Sequence, residues 1–291
     1  MSVDHVTGRF APSPTGPLHL GSLLAATASW VDVRHRGGRW LLRIEDIDPP
    51  REQPGAADAI LRSLDRHGLT WDGPVLWQHD RHAAYDAALK SLQTRGLVYA
   101  CRCSRSALAA AGVPDCLGAC RTAGHASGAW RLSVQDAPLM HWQDALHGPQ
   151  CDDLRQQCGD FVLMRRDGLP AYQLAVVVDD AASAVTTVAR GADLFDNTAR
   201  QCWLQQQLGL PRPEYLHLPL LLQPDGRKLS KQNHAPALTP AASANLCQVL
   251  HWLGQAPPPD LQQSTPAEIL DWACTHWSRA RIPRRAIALP A

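Results

Sequence analysis

The sequence predicts an α/β protein: a doubly wound parallel sheet, interrupted by an inserted α+β region and closed by a short helical part. Three observations carry this prediction. Roughly the first fifty residues read strand, helix, strand, the pattern of a parallel crossover. That pattern breaks between about Leu97 and Val178, and strand and helix signals alternate again afterwards. After Pro240 only helical spacing is left. The expected divisions are residues 1–97 for the first half of the sheet, 98–178 for the insertion, 179–240 for the second half and 241–291 for the helical segment.

Thr7 to Ala11 is a short extended segment that runs into the turn Pro12-Ser13-Pro14-Thr15-Gly16-Pro17. From Ser22, a good N-cap residue, apolar positions fall at Leu23, Thr27, Trp30 and Val31, a helical spacing that Gly37-Gly38 ends. Trp40 to Ile44 reads as a largely buried strand and completes a Rossmann-type βαβ unit. Ligands of such sheets sit beyond the carboxyl ends of the strands, which places His19 and Glu45 beside one crevice. Ile60, Leu61 and Leu64 mark a second helix and Tyr85, Leu89 and Leu92 a third, with Gly68 and Gly96 at their ends. Within the insertion, Trp130 to Val134 alternates as a strand and Phe161 to Met164 reads as another. Ser183 to Ala189 is expected to be a strand returning to the sheet, Asp196 to Leu208 a helix, and Tyr215 to Leu222 a strand. The final helices are broken by Pro257-Pro258-Pro259.

With 291 residues, 45% hydrophobic and 19% charged, the chain can bury a substantial core. No apolar run approaches membrane-spanning length, and Met-Ser-Val-Asp-His-Val has neither the basic stretch nor the apolar run of a signal peptide. The expectation is a cytoplasmic protein without a membrane partner. A net charge of +1 gives no global signature of nucleic-acid binding, so an RNA partner would have to be held by local patches. Arg34, Arg36 and Arg39 form one basic group and Arg279, Arg281, Arg284 and Arg285 another; either could touch phosphates, but solvated faces are the commoner explanation and no binding role is assigned to them.

Nine cysteines are an odd number, and four of them crowd into Cys101, Cys103, Cys116 and Cys120. Two close pairs of thiolates on neighbouring loops can supply the tetrahedral shell that zinc favours, so a structural zinc ion is expected there. His125 is an alternative ligand, and the remaining cysteines read as packing residues.

His19-Leu20-Gly21-Ser22 opens a helix directly after a Gly/Pro turn, where backbone N–H groups and the helix dipole favour an anion such as phosphate. An imidazole there can donate to an α-phosphate, and Gly21 lets adenine approach the backbone closely. Lys228-Leu229-Ser230-Lys231 follows Gly226 in a later loop. Two ammonium groups on such a loop can neutralise a triphosphate and the departing pyrophosphate. Each element alone is also compatible with a bland helix cap or a solvated basic turn.

The pair of elements resembles the HIGH and KMSKS signatures of class I aminoacyl-tRNA synthetases, with Gln232 in place of the final serine. Arg9 to Gly16, Leu42 to Asp48, Tyr172 with Ala175 to Asp180, and Arg190-Gly191-Ala192-Asp193 are similar to glutamyl-tRNA synthetases in the same order. That resemblance implies a pocket for L-glutamate at Arg9, Phe10, Ala11, Pro12, Ser13, Glu45, Tyr172 and Arg190. Glu45 and Tyr172 would hold the ammonium group. Arg9 and Arg190 would hold the carboxylates, Arg190 the side-chain one. It also implies ATP with Mg2+ at His19, Gly21, Ser22, Lys228 and Lys231, with His19, Lys228 and Lys231 catalytic. In these families a tyrosine is common where Cys116 stands.

Only about sixty residues follow Lys231, so no anticodon-binding domain is expected. The run Arg43 to Glu52, with Lys231-Gln232-Asn233-His234-Ala235-Pro236-Ala237-Leu238, resembles the short glutamyl-queuosine tRNA(Asp) synthetase family. The resemblance implies a ligase that makes glutamyl adenylate without tRNA and esterifies glutamate onto queuosine in the anticodon of tRNA(Asp); a monomer is expected. Two alternatives stay open: a miniature glutamyl-tRNA synthetase that charges the 3′ end, and a non-enzymatic RNA-binding paralogue.

Overall fold

The computed structural model describes residues 5–113, 115–229 and 238–289. The first half runs β1 (Thr7–Phe10), α1 (Leu20–His35), β2 (Arg39–Ile44), α2 (Ala56–Arg66), β3 (Leu76–Trp77) and α3 (His82–Thr94). The insertion follows as β4 (Val98–Cys101), α4 (Arg105–Ala110), α5 (Ala119–Ala123), β5 (Ala129–Leu132), β6 (Met140–Asp144), β7 (Gly148–Asp152), α6 (Leu154–Gln157) and β8 (Phe161–Met164). The chain then returns through α7 (Tyr172–Ala182), β9 (Thr187–Gly191), α8 (Thr198–Leu208), β10 (Glu214–Leu218) and β11 (Leu221–Leu222). It ends in α9 (Ala242–Trp252), α10 (Pro266–His276) and β12 (Ile287–Ala288), which pairs with β11.

Strands β1, β2 and β3 are parallel neighbours, with Thr7 opposite Arg39. Strands β9, β10 and β6 are also parallel neighbours, and β7 closes that edge antiparallel. The two sets meet along β1 and β9. There the Thr186 N–H donates to the Thr7 carbonyl at 2.8 Å and the Thr7 N–H donates to Thr186 Oγ1 at 2.9 Å. Read across the seam, the order is β3-β2-β1-β9-β10-β6-β7. From β1 the chain winds outward through α1 to β2, and from β9 it winds the other way through α8 to β10. The seam is therefore the topological switch point, where a doubly wound sheet opens a ligand crevice.

Strand alternation sends side chains to two separate cores. Phe10, Leu42 and Ile44 pack with Leu23 and Leu24 of α1, Leu250 of α9 and Ile269 of α10. Val188 and Tyr215 pack with Leu174 and Val177 of α7, Cys202 of α8 and Leu89 of α3. Arg36 and Arg279, read from the sequence as solvated, instead form an ion-pair network with Asp32 and Glu214. Arg279 draws the Glu214 carboxyl down to about 2, against the opposing effect of burial.

Several element boundaries differ from expectation for local reasons. His19, not Ser22, is the N-cap of α1: its Nδ1 accepts the Ser22 N–H at 3.3 Å, the task a serine or aspartate hydroxyl or carboxylate usually performs. The strand expected from Ser183 starts at Thr187, because α7 runs to Ala182 and Val185 N bonds back to Asp180 O. Residues Ala192–Asn197 form a 3₁₀ turn before α8, and Pro219 lies between β10 and β11. Strands β4, β5 and β8 form their own antiparallel sheet, whereas β6 leaves the insertion to join β10. Cys151, expected to be a packing residue, is exposed on β7.

Candidate active site

Arg9 on β1 and Arg43 on β2 share the sheet face that α7 covers. Both are buried, with 4% and 3% of their surface exposed. Asp180 of α7 explains how two guanidiniums can be buried together. Arg9 Nε donates to it at 3.2 Å and Arg43 Nη1 at 2.5 Å, while Arg43 Nη2 donates to Glu45 at 3.2 Å. Burial alone would raise the Asp180 carboxyl, but Arg43 and Arg9 outweigh it and hold it below the ordinary range. Glu45 shows the opposite balance. Burial pushes its carboxyl up, and Arg43 and Arg9 offset this only in part.

Arg190 lies across the seam on β9, also 4% exposed. Its Nε donates to His217 Nε2 at 3.1 Å, its Nη1 to Gln201 at 2.8 Å and its Nη2 to the Thr198 hydroxyl at 2.8 Å. Three of the five guanidinium N–H groups are thus committed to the protein, and each terminal nitrogen retains one for a ligand. Behind this set stands Asp144 of β6, which accepts from His217 Nδ1 at 2.7 Å and from the backbone N–H groups of Leu146, His147 and His217. Arg190 also lies over the Tyr215 ring, 5.2 Å from its centroid.

These groups converge on one cavity of about 400 Å³ lined by Arg9, Phe10, Ala11, Ser13, Glu45, Tyr172 and Arg190. Pro12 does not line it; its carbonyl accepts the Glu45 N–H at 3.0 Å and so anchors the end of β2. Burial raises the Tyr172 phenol, so it is a neutral donor at the cavity wall. A second cavity, about 170 Å³, is lined by His19, Gly21, Ser22, Asp193 and Lys228. The two share Ala25, Gly191 and Asp193 and are therefore contiguous. Lys228 Nζ pairs with Asp193 at 2.6 Å, and a Cβ on Gly21 would stand 3.0 Å from the His19 ring. Lys231 lies outside the described residues.

A charge of each kind thus faces one cavity, and a helix N-terminus with an imidazole and an ammonium group faces its extension. That arrangement suits an amino acid with two carboxylates beside a phosphate chain. Sequence reading named Arg9, Glu45, Tyr172 and Arg190 of the first cavity and His19, Gly21, Ser22 and Lys228 of the second, but gave no role to Asp180, Gln201 and His217, which hold the arginines, or to Asp144, which holds His217. Asp180 closes a motif quoted for its resemblance. Nothing local distinguishes the other three.

The cysteines form a separate buried cluster. Cys101, Cys103 and Cys120 have sulfurs within 4.8 Å of one another, with 3.7 Å between Cys103 and Cys120. A tetrahedral zinc thiolate site needs sulfurs about 3.8 Å apart, so the three thiols fit a metal ion. Cys116 belongs to the same cluster but meets the Tyr99 hydroxyl at 3.3 Å. His125 is not part of the metal-competent group among the described residues.

Residues 5–112 and 122–242 match the family model described as tRNA synthetases class I (E and Q), catalytic domain. The chain is 53% identical to a glutamyl-Q tRNA(Asp) synthetase of Ectopseudomonas mendocina over 95% of each chain. It is 50% identical to one of Thiobacillus denitrificans, over 98% of this chain and 97% of that one. Among solved structures, the glutamate-tRNA synthetase of Elizabethkingia anophelis superposes with a TM-score of 0.80 over 99% of this chain and 68% of its own, at 23% identity, a likeness of fold. With its parallel sheet, its seam and its two contiguous cavities, the chain belongs to the class I glutamyl and glutaminyl tRNA synthetase family, in the branch of the glutamyl-Q tRNA(Asp) synthetases.

Proposed function

We propose that the protein is a ligase that activates L-glutamate with ATP and, without needing tRNA for that step, passes it to queuosine in the anticodon of tRNA(Asp). The observation that carries this reading is the continuity of the Arg9–Glu45–Tyr172–Arg190 cavity with the His19–Lys228 cavity. In the first step a glutamate α-carboxylate oxygen attacks the α-phosphorus of ATP and pyrophosphate leaves. Glu45 and Tyr172 receive the ammonium group, Arg9 the α-carboxylate and Arg190 the side-chain carboxylate. His19 donates to the α-phosphate, with the N–H groups of Gly21 and Ser22 beside it. Lys228, released from Asp193, and Lys231 neutralise the outer phosphates together with Mg2+. In the second step a hydroxyl of the queuosine cis-diol attacks the activated carbonyl, an ester forms and AMP leaves.

Two further features support the acceptor. The names of the close relatives specify it. A wider cavity of about 970 Å³ opens at the insertion, where Arg51 and Arg165 pair with Asp48 and Asp167 and Arg166 stands beside them; RNA phosphates would have to exchange for those carboxylates. Residues 1–97 and 179–240 act as the catalytic core, 98–178 as an insertion toward the RNA and 241–291 as a helical support. Cys101, Cys103, Cys120 and Cys116 would hold a structural zinc ion, with Cys116 turning from Tyr99 to complete the shell. No helix among the described residues is long and apolar enough to cross a membrane. We read the protein as a cytoplasmic monomer.

The deciding experiment is glutamate-dependent ATP/pyrophosphate exchange without tRNA, followed by charging of tRNA with and without queuosine. The expected result is exchange in the absence of RNA and a base-labile ester formed only on queuosine-containing tRNA(Asp), even after its 3′ end is trimmed. Loss of charging on trimming would mark a miniature glutamyl-tRNA synthetase. Elemental analysis is expected to give one zinc per chain, with weaker retention in Cys116→Ser; metal-free, folded, active protein would reduce the cluster to packing.

A further inference from the structure

Arg190 is held by acceptors only, and one of those acceptors is a histidine whose capacity to accept depends on its proton. Asp144 is a carboxylate with both oxygens occupied by N–H donors, so the Nδ1 it faces carries the proton. His217 Nε2 is then a bare lone pair, and the Arg190 Nε–H points at it from 3.1 Å, with the Thr198 hydroxyl 3.2 Å away. Together with Gln201 and Thr198, this fixes the guanidinium so that its remaining edge shows two N–H donors and no acceptor. A carboxylate fits such an edge with both oxygens. A carboxamide sets its own NH2 against one of the donors.

We infer that Asp144 and His217 are positioning residues that lock Arg190 into a donor-only fork and thereby select glutamate over glutamine. The inference rests on the reading of Arg190 as the group that meets the side-chain carboxylate. Neither residue lines the cavity, so both act through Arg190. The lock depends on pH. His217 is fully buried and faces Asp144 from β6, Arg190 from β9 and Thr198 from α8. His147 approaches its carbonyl at 3.2 Å, and the rings of Trp142, Phe195 and Tyr215 enclose it. Among these groups burial and Arg190 disfavour the imidazolium while Asp144 favours it, and the balance leaves His217 below its ordinary value. Acid that protonates Nε2 removes the acceptor and sets a cation against Arg190.

The test is ATP/pyrophosphate exchange by the full chain with glutamate and glutamine as alternative substrates. His217→Phe is expected to raise the glutamate KM about ten- to a hundredfold, the effect of losing one hydrogen bond to a charged group. Its ATP KM stays unchanged and its preference for glutamate over glutamine narrows by a similar factor. His217→Gln, whose carbonyl can stand where Nε2 stood, recovers most of the loss and removes the His217 part of the acid-side rise in glutamate KM. Asp144→Asn presents an NH2 to Nδ1, moves the proton to Nε2 and is expected to behave like His217→Phe. Unchanged glutamate KM in folded His217→Phe overturns the inference. Where circular dichroism shows that variant unfolded, the pH profile decides: identical acid limbs in the parent and His217→Gln overturn it. Arg190→Ala separates the two readings. If it spares glutamate use, the role of Arg190 itself is wrong; if it abolishes glutamate use while His217→Phe does not, only the lock is.

Discussion

The two ends of the candidate active site are built on opposite plans. At the amino-acid end, Arg9, Arg43 and Arg190 are almost wholly buried and held by Asp180, Glu45, His217, Gln201 and Thr198 before any ligand arrives. At the phosphate end, the Lys228 and Asp193 side chains keep 39% and 37% of their surface in solvent and pair with one another. Buried charges are retained only if they are paired, as Arg9 and Arg43 are, or hydrogen-bonded, as Arg190 is, so on the proposed assignment recognition of the small substrate is settled when the chain folds. An exposed pair is worth at most about 1 kcal/mol and exchanges partners readily, which suits a group needed only while charge builds on phosphate. On the proposed assignment, selectivity and rate enhancement sit on different physical footings a few residues apart.

Three substitutions test how sharp that division is. The largest effect belongs to Arg190→Ala, which removes the fork and leaves three buried acceptors without their donor. Glutamate kcat/KM is expected to fall about a hundredfold or more while ATP KM holds. Comparable damage to both substrates would show that the two ends are not separate. Next comes Glu45→Gln. Glu45 binds an ammonium group only as a carboxylate, and its pKa is raised above the usual glutamate value by burial. The glutamate KM of the parent therefore rises as pH falls through that raised pKa. Glu45→Gln is expected to raise KM about tenfold and to flatten that limb, which persists in His217→Gln. A parent profile flat down to pH 4.5 would remove Glu45 from ammonium binding. The smallest effect is assigned to Lys228→Ala: roughly a tenfold slower exchange, with glutamate KM and melting temperature unchanged. A shifted melting temperature would mean that the Lys228–Asp193 pair supports the fold as well as the phosphates.

The same contrast explains what the sequence disclosed. The phosphate end is local. His19, Gly21 and Ser22 occupy one turn of α1, so cap chemistry with apolar spacing marks the place, although the cap was assigned to Ser22 and only the resemblance of this turn and the Lys228 loop to a known pair of signatures gave it a phosphate role. The amino-acid end is assembled from afar. Asp180 meets Arg9 across 171 residues, and Asp144 meets His217 across 73. No spacing rule links such pairs, so Arg9 and Arg190 were recovered through resemblance, Asp180 was quoted without a role, and Asp144 and His217 were not found. Strand β6 was missed for a related reason. It alternates in burial, but one of its inward positions is Asp144, and its partner β7 contains Pro149, which argues against a strand in any sequence reading. The charge that conceals the strand is the charge that orients His217.

The seam between β1 and β9 also bears on how the enzyme moves. A Cβ on Gly8 would lie 2.4 Å from Val33 Cγ2 of α1 and 3.3 Å from Thr187 Cγ2 of β9, so sheet and helix touch there without a gap. Such a joint cannot work as a hinge: opening it would separate Arg9 from Arg190 and lift α1, with His19 at its N-terminus, off the sheet. On the proposed reaction, the part of the site left free to shift as substrates enter and pyrophosphate leaves is then the turn that carries Lys228, whose side chain keeps 39% of its surface in solvent.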